Sequence, residues 1–296
     1  MLKYFVCPDG ELVEIQDCWN GCRMGRRCLT LPTLVYVGTQ REPGAPSTTQ
    51  LLNGTMYEYL KHTYDYAIKP SSKAFALLGT RHHEMLSEVA DKLGLPAEIS
   101  VTDDDRNIFD LLEMDGDQLV LTDYKTWGSF KVAKAMGIVV VDEQQVHYTD
   151  KAGRKRTKTD KTWGIDPEQA DNWEAELQLN NYRIHIEHQL DRHVDRMQLQ
   201  VTVRDGGTFV ATGRGVTELI YLIEIPRIHD KIVEDYFTQQ ATNLNWAIHN
   251  NETPVEPCTP RERWHNPNTG KDARCQGYCE VWNHCPHGRQ VKLGGS

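Results

Sequence analysis

Several features that would fix a protein's class at once are missing from this sequence. It has no uninterrupted run of the ~18 apolar residues that a membrane-spanning helix needs, so no transmembrane segment is expected. Its start, MLKYFVCPDGE, lacks the basic flank, apolar stretch and small-residue cleavage site of a secretory leader, and the reading is a cytoplasmic protein. Positive charge is in deficit: 33 Lys and Arg stand against 42 Asp and Glu, a net charge of −9. That excludes a protein that coats nucleic acid over its whole surface, but not an enzyme that holds it in a local basic groove. No sequence repeat runs through the chain apart from one cysteine spacing. Hydrophobic residues make up 39% and charged residues 25%, so a sizeable core can form and disorder is not the default.

Cysteine is also absent from the whole middle. The eight cysteines fall in two groups, Cys7, Cys18, Cys22 and Cys28 at one end and Cys258, Cys275, Cys279 and Cys285 at the other. The last three of each group follow one rule, C-x3-C-x5-C, with a fourth cysteine upstream. In a reducing compartment, clustered spacing of this kind favours metal over disulfides. Four thiolates satisfy tetrahedral zinc or one iron–sulfur cubane equally well, and sulfur ligation alone does not separate them. The first group is thus a Zn2+ or iron–sulfur site, and the same choice holds for the second.

Between the groups the pattern is that of an α/β protein. Residues 1–37 form an N-terminal cysteine module, and a Gly/Pro/Ser/Thr-rich loop at 38–49 marks a boundary. A core follows over 49–251, with a basic insertion at about 140–166, and a C-terminal cysteine module covers 252–296. Apolar residues at 51, 52, 56, 57, 60, 64 and 68 predict a helix from Thr49, and a second helix is predicted over 73–93. Strands are predicted at 97–102, 107–114 and 118–127, the last two joined by a turn at Asp115-Gly116-Asp117. A short helix at 129–137 and a strand at 138–149 follow. A long helix is predicted over 167–190, opened by Asp166 as N-cap and Pro167 at its first position. TFVATGRG and 197–204 and 217–226 read as further strands, and 229–251 as the final helix. A central sheet flanked by helices results.

Asp110 and Asp123 fall on two adjoining strands, and the step Asp123-Tyr124-Lys125 puts Asp123 and Lys125 on one face. Two carboxylates can hold Mg2+ or Mn2+ through hard oxygen ligands, and the Tyr124 backbone carbonyl can add another. Lys125 can then orient or deprotonate water, or offset charge on a phosphoryl transition state. A D-x-K triplet alone is an ordinary salt-bridged strand face. Order and spacing give it weight.

That order resembles the RecB-like branch of the PD-(D/E)XK nucleases, over residues 49–285. GTRHHEML looks like the family's first motif, through Gly79, His83 and Leu86; IFD like the second, through Asp110; TDYKT like the third, through Asp123 and Lys125; and QLNNY like its Q-x-x-x-Y helix, through Gln178 and Tyr182. The resemblance implies a restriction-endonuclease-like core, a mixed central sheet flanked by helices, with cysteine-rich metal modules at both ends. It implies His83 as a metal ligand beside Asp110 and Asp123, and Gln178 and Tyr182 as further catalytic residues. Some members, the AddB-type and CRISPR-adaptation exonucleases, carry a [4Fe-4S] cluster on three cysteines after the core. Cys275, Cys279 and Cys285 look like that trio, with x3 in place of the usual x2 spacing. Cys258 is a local candidate for the fourth ligand, and zinc is the alternative. The first group lies outside the family pattern. The activity implied is Mg2+- or Mn2+-dependent hydrolysis of DNA, exonucleolytic on single strands or duplex ends, with recombination, repair or CRISPR proteins as possible partners and no membrane. A non-catalytic DNA-binding subunit on the same fold is the rival.

The stretch 151–161 supplies six cations, Lys151, Arg154, Lys155, Arg156, Lys158 and Lys161, as a candidate contact to the DNA backbone. A solvated hairpin tip is the plain alternative. Arg23, Arg26, Arg27, Arg261 and Arg263 are further candidates for phosphate contact.

Overall fold

The computed structural model describes residues 1–40, 44–102, 106–254 and 256–294. Residues 41–43 of the expected boundary loop and the last two residues of the C-terminal module lie outside the described residues. Contacts divide the chain into two compact units. One comprises Met1–Leu78, Thr102–Asn107 and His229–Ser296, and the other Gly79–Val101 and Ile108–Ile228. Both cysteine groups belong to the first unit. Among the described residues no helix is long and apolar enough to cross a membrane.

The first unit opens with strand β1 (Leu2–Val6), which turns at Cys7-Pro8-Asp9-Gly10 into antiparallel β2 (Leu12–Glu14). Helices α1 (Ile15–Asn20) and α2 (Leu31–Gly38) follow. Leu2, Phe5, Ile15, Leu34, Val37 and Ile68 form a small buried cluster between them. The helix expected from Thr49 is broken in two. Ser47 and Gln50 cap α3 (Thr48–Leu52) in a reciprocal capping box. Gly54 at φ +96 then interrupts the helix before α4 (Thr55–Thr63). A side chain at Gly54 would meet the Glu262 carboxylate at 2.6 Å, so glycine is required there twice over. The end of the expected helix becomes β3 (Tyr66–Ile68), parallel to β1.

Helix α5 (Ala74–Leu93) begins in the first unit and belongs to the second from Gly79 onward. The second unit is built on a five-stranded mixed sheet. Strand β4 (Ala97–Ser100) forms one edge, followed by β5 (Ile108–Asp115) and β6 (Gln118–Trp127), with a two-residue turn at Gly116-Asp117. Strand β6 is central and buried on both faces, as its near-continuous apolar run demands. Helix α6 (Ser129–Met136) ends at Gly137, in the left-handed conformation at φ +64. Strands β7 (Ile138–Thr149) and β8 (Lys155–Ile165) then form a separate two-stranded ribbon. The basic stretch therefore occupies the tip of this ribbon and most of its second strand.

The long helix does not start at Pro167. Asp166 caps only a single tight turn, Pro167–Gln169, and helix α7 runs over Trp173–Leu190. The connecting residues are tied to α6 instead. Asp166 N–H donates to the Gly137 carbonyl, Asp171 N–H to that of Lys134, and the Asn172 side chain to that of Ala135. The Asp171 N–H, which a continuous helix would turn to the Pro167 carbonyl, is thus claimed by α6, and Asn172 anchors the next residue there.

Strand β9 (Arg196–Val203) lies parallel to β6, and β10 (Ile220–Ile225) pairs antiparallel with β9 at the far edge, giving the order β10-β9-β6-β5-β4. The strand expected at TFVATGRG is a one-turn helix, α8 (Phe209–Thr212), because the Thr208 hydroxyl accepts the Ala211 N–H as an N-cap. One face of the sheet carries Leu112, Leu121, Leu199 and Val201 against Ala175, Leu179, Tyr182 and Ile186 of α7. Leu111 and Tyr124 on the other face meet Leu86 and Ala90 of α5. The chain is therefore a mixed α/β fold with a sheet covered on both faces.

The first unit is completed by α9 (Asp230–Asn250), the two-residue strands β11 (His265–Asn266) and β12 (Lys271–Asp272), and α10 (Pro286–Leu293).

Candidate functional site

The acidic site is assembled within the second unit. Register pairs Leu111 with Thr122, so Asp110 and Asp123 come from adjoining positions of neighbouring strands. The Tyr124 N–H donates to Asp110 Oδ2 at 2.6 Å and fixes that carboxylate. Both aspartates are buried, 7% and 2% exposed. The His83 ring reaches them from α5, with Nδ1 3.4 Å from Asp110 Oδ1 and 3.3 Å from Glu98 Oε1. It is His83 that faces the carboxylates; the neighbouring His82 keeps its Nε2 buried without a partner.

Glu98 was not among the candidates drawn from the sequence. It sits on edge strand β4 with φ +50, a region that non-glycine residues enter at a cost of order 1–3 kcal/mol. The twist turns its carboxylate toward His83. Nothing in AEISVT announces this, since an acid on an edge strand ordinarily points to solvent. Among the described residues, His83, Glu98 and Asp110 are the one group of three such side chains whose ligand atoms all lie within 4.8 Å of one another. Asp123 stands just beyond this trio.

Asp123 belongs to a second chain of contacts. Its Oδ2 is 2.6 Å from Lys125 Nζ, without an aligned hydrogen bond. Lys125 Nζ reaches Gln178 Oε1 at 3.4 Å, and Gln178 Nε2 donates to the Tyr182 hydroxyl at 3.2 Å. The sequence candidates from three elements thus meet as one run, Asp123–Lys125–Gln178–Tyr182. The i, i+4 spacing on α7 places the last two on one side of that helix.

The charges are strongly coupled. Hydrogen bonds to Asp110 and Glu98 hold the His83 imidazolium up at about 10, against the opposing effect of burial. Burial pushes the Asp123 carboxyl up even with Lys125 beside it. Burial pulls the Lys125 ammonium down, but Asp123 and Asp110 outweigh it and keep it charged. Burial also raises the Tyr182 phenol to about 12, so it serves as a neutral hydrogen-bonding group. Two carboxylates and an imidazole within 4.8 Å, with a third carboxylate whose buried charge is poorly solvated, form a donor set that suits a hard divalent cation. Such a cation would displace the His83 proton.

In the first unit, none of the eight cysteines is paired in a disulfide, and no three of their sulfurs are drawn within 4.8 Å. Cys258, Cys275, Cys279 and Cys285 wall a common cavity together with Met56, Tyr57, Leu60 and Val281, and with Arg263 and Arg274. As free thiols, Cys258 and Cys279 are pushed up to about 12 and about 11 by burial. Thiolates there need a compensating positive charge, which a metal centre supplies. Arg274 is buried over the Tyr57 ring at 4.0 Å and held by the carbonyls of Asn53 and Glu262. Arg263 is directed to Asp272 at 3.5 Å and lines the cavity. Cys7, Cys18, Cys22 and Cys28 lie in the N-terminal part of that unit; the first three are half-buried and Cys28 is exposed.

The six basic residues lie on the exposed β7–β8 ribbon. Arg154 and Arg156 share Asp150, Lys158 pairs with Asp160, and Lys161 with Glu143. Lys151 and Lys155 have no ion pair among the described residues.

Compared with known proteins, the chain matches no family model, no curated protein and no solved structure.

Proposed function

We propose that this chain is a divalent-cation-dependent DNA nuclease with a restriction-endonuclease-like core of the RecB-like PD-(D/E)XK kind. The observation that carries the reading is the convergence of His83, Glu98 and Asp110 on one point, beside the Asp123–Lys125 pair. A coincidental D-x-K face on a strand has no reason to be met by a histidine from a helix and a strained glutamate from an edge strand.

His83, Glu98, Asp110 and Asp123 would hold Mg2+ or Mn2+, with the Tyr124 carbonyl as a further oxygen. A bound cation supplies polarisation of the scissile phosphate and a hydroxide-like water near neutral pH. The protein's own groups do the rest. The Tyr124 N–H keeps Asp110 aimed at the site. The Lys125 ammonium donates to a non-bridging phosphate oxygen or to the attacking water, and offsets charge as it accumulates. Gln178 holds Lys125 in place and is itself held by Tyr182. Burial of both aspartates strengthens each of these interactions by keeping water away. The exposed cations of the ribbon would contact the DNA backbone.

The C-terminal quartet, Cys258, Cys275, Cys279 and Cys285, fits a [4Fe-4S] cluster. A cluster has an anionic sulfur shell, and the pocket lining offers apolar walls and the positive charge of Arg263 and Arg274. Its role would be structural, joining α4 to the end of the chain.

The test is cleavage of labelled single-stranded and duplex DNA with Mg2+ or Mn2+, by wild type and Lys125→Ala. Cation-dependent cleavage by wild type that falls at least ~10²-fold in the variant is expected. Equal cleavage by both, or none by either, sinks the catalytic reading and leaves a DNA-binding subunit on a nuclease-like scaffold.

A further inference from the structure

The first cysteine quartet takes no part in the cleavage scheme, yet it is built with a repeated device. Cys7-Pro8-Asp9-Gly10 is a four-residue turn in which the Gly10 N–H donates to the Cys7 carbonyl at 2.9 Å. Cys22-Arg23-Met24-Gly25 is a second such turn, closed by the Gly25 N–H on the Cys22 carbonyl at 3.0 Å. The two glycines lie at φ +91 and +76, and a side chain on either would meet nothing. They are therefore there for the backbone conformation alone. Arg23 of the second turn pairs with Asp9 of the first, so the two cysteine-headed turns are tied to one another. Cys18 lies in α1, four residues before Cys22, within electrostatic reach of Cys28, Cys7 and Cys22.

Beneath them is a cluster of only six buried apolar residues. The cluster draws in Ile68 of β3, and so small an apolar core leaves a bound metal room to add to the stability of this part of the unit. No disulfide links these cysteines.

We propose that Cys7, Cys18, Cys22 and Cys28 bind one zinc ion as a closed four-thiolate site that holds the N-terminal module folded. The contrast with the other quartet selects the metal. Cys275 and Cys285 are buried and, with Cys258 and Cys279, line one pocket between apolar side chains and two arginines. Cys7, Cys18 and Cys22 are half-buried and Cys28 is exposed, on turns and a short helix. A single ion needs no cavity: at a Zn–S distance of about 2.3 Å, four sulfurs about 3.8 Å apart suffice. Zinc is also redox-inert, which suits a site open to solvent. On binding, each thiol loses its proton to solvent, four Zn–S bonds form, and the site carries a formal charge of −2. Arg23, Arg26 and Arg27 in the same loop offset that charge. Ordering of the 21–29 loop is part of binding, so the metal contributes directly to folding of the module.

The experiment uses the full chain. Metal analysis of purified wild type is expected to give one zinc per chain, with iron and sulfide counted separately. In Cys22→Ser, zinc falls to background while iron and sulfide are unchanged. Because that variant could misfold, wild type is also mapped by alkylation and mass spectrometry. Cys7, Cys18, Cys22 and Cys28 should be protected until a chelator strips the zinc, and all four should then react together. Exchange for cobalt should give the visible d–d bands of a tetrahedral thiolate site. Free alkylation of the four thiols before chelation, a disulfide among them, or loss of iron and sulfide rather than zinc in Cys22→Ser each overturns the proposal. None of these readouts depends on cleavage, so the zinc assignment and the nuclease reading stand or fall separately.

Discussion

The sheet of the second unit and the N-terminal module of the first are stabilised by different means. The sheet gathers a cluster of twenty buried residues over one face, whereas the module has six. A large cluster can tolerate polar groups buried within it. Asp123 and the fully buried Arg183 lie amid apolar side chains, and the folded state still has stability left to position them. Among the described residues the small cluster buries no such group, and four unpaired cysteines lie near it. The lesson is that extensive burial lets one region hold charged groups inside its core, while the other has little apolar area and would gain most from the zinc proposed for it.

The sharpest way to break this comparison is at the site itself. Asp110→Asn keeps the shape and an acceptor for the Tyr124 N–H, but removes a charge from the cation site. Cation-dependent cleavage should fall at least ~10³-fold, since metal and electrostatic terms contribute several kcal/mol. Thermal stability without cation should change little, because the repulsion from Asp123 and the attraction to His83 and Lys125 are lost together. Cleavage within tenfold of wild type would put the reaction centre elsewhere.

The next test is a structural charge of the same unit. Glu187 on α7 accepts from Arg227, from the Val194 N–H at 2.8 Å and from Arg183 at 3.2 Å. Burial raises its carboxyl, but these donors outweigh it and hold it down at about 2, against an ordinary 4.5. A carboxyl depressed on folding contributes stability that is present above pH 4.5 and lost as pH falls toward 2. Glu187→Gln takes a carboxylate away from the fully buried Arg183 and should cost about 4 kcal/mol near neutrality. Denaturant unfolding at pH 7 and along an acid series checks both parts. The variant should lose the component of wild-type acid destabilisation between pH 4.5 and 2, and an unchanged pH profile would remove Glu187 from the account.

How much of this was legible in the sequence follows the same division. Asp110, Asp123 and Lys125 could be placed because strand alternation and a two-residue turn fix register locally, and β6 spans the expected 118–127. His83, Gln178 and Tyr182 could be placed through motif order. Glu98 could not: its approach to His83 goes with a positive φ that no local pattern encodes. The start of α7 was misplaced because Asp166 and Pro167 are a correct helix-opening signal for a turn that the end of α6 then captures. Gly54 breaks a helix whose apolar spacing is unbroken, because a distant carboxylate occupies the place of its side chain. In each case a contact distant in sequence overrode a local preference.

A matched pair of truncations compares the two clusters directly. Leu121 and Leu34 are both fully buried, one in each. Either substitution by alanine should cost about 3 kcal/mol. In Leu121→Ala that loss should appear as a cooperative shift of the sheet's unfolding. In Leu34→Ala it should exceed what six residues can absorb, so that N-terminal amides lose protection from hydrogen exchange while those of β6 and β9 keep theirs. Equal loss of protection across both regions would show one cooperative unit and erase the contrast.

The smallest effect on stability, and the most specific on binding, belongs to the β7–β8 ribbon. Its strands are 12 and 11 residues long, almost wholly exposed, and paired only with each other. Between residues 146 and 158 it carries five cations and one anion, in a chain whose net charge is −9, so the remainder carries −13. A cation already held by a carboxylate releases less of the DNA's counterion atmosphere than a free one. Arg154 and Arg156 share Asp150, whereas Lys151 and Lys155 are unpaired among the described residues. Lys151→Gln with Lys155→Gln should therefore change stability by no more than about 0.5 kcal/mol. It should flatten the slope of log K against log salt for duplex DNA by about 2, close to one per lost phosphate contact. Arg154→Gln with Arg156→Gln should flatten it less, because both arginines are already held by Asp150. Binding titrations at several salt concentrations check this, with a catalytically silent Lys125→Ala background to prevent cleavage. A slope unchanged by both pairs would leave the ribbon as a solvated hairpin and confine DNA contact to the sheet.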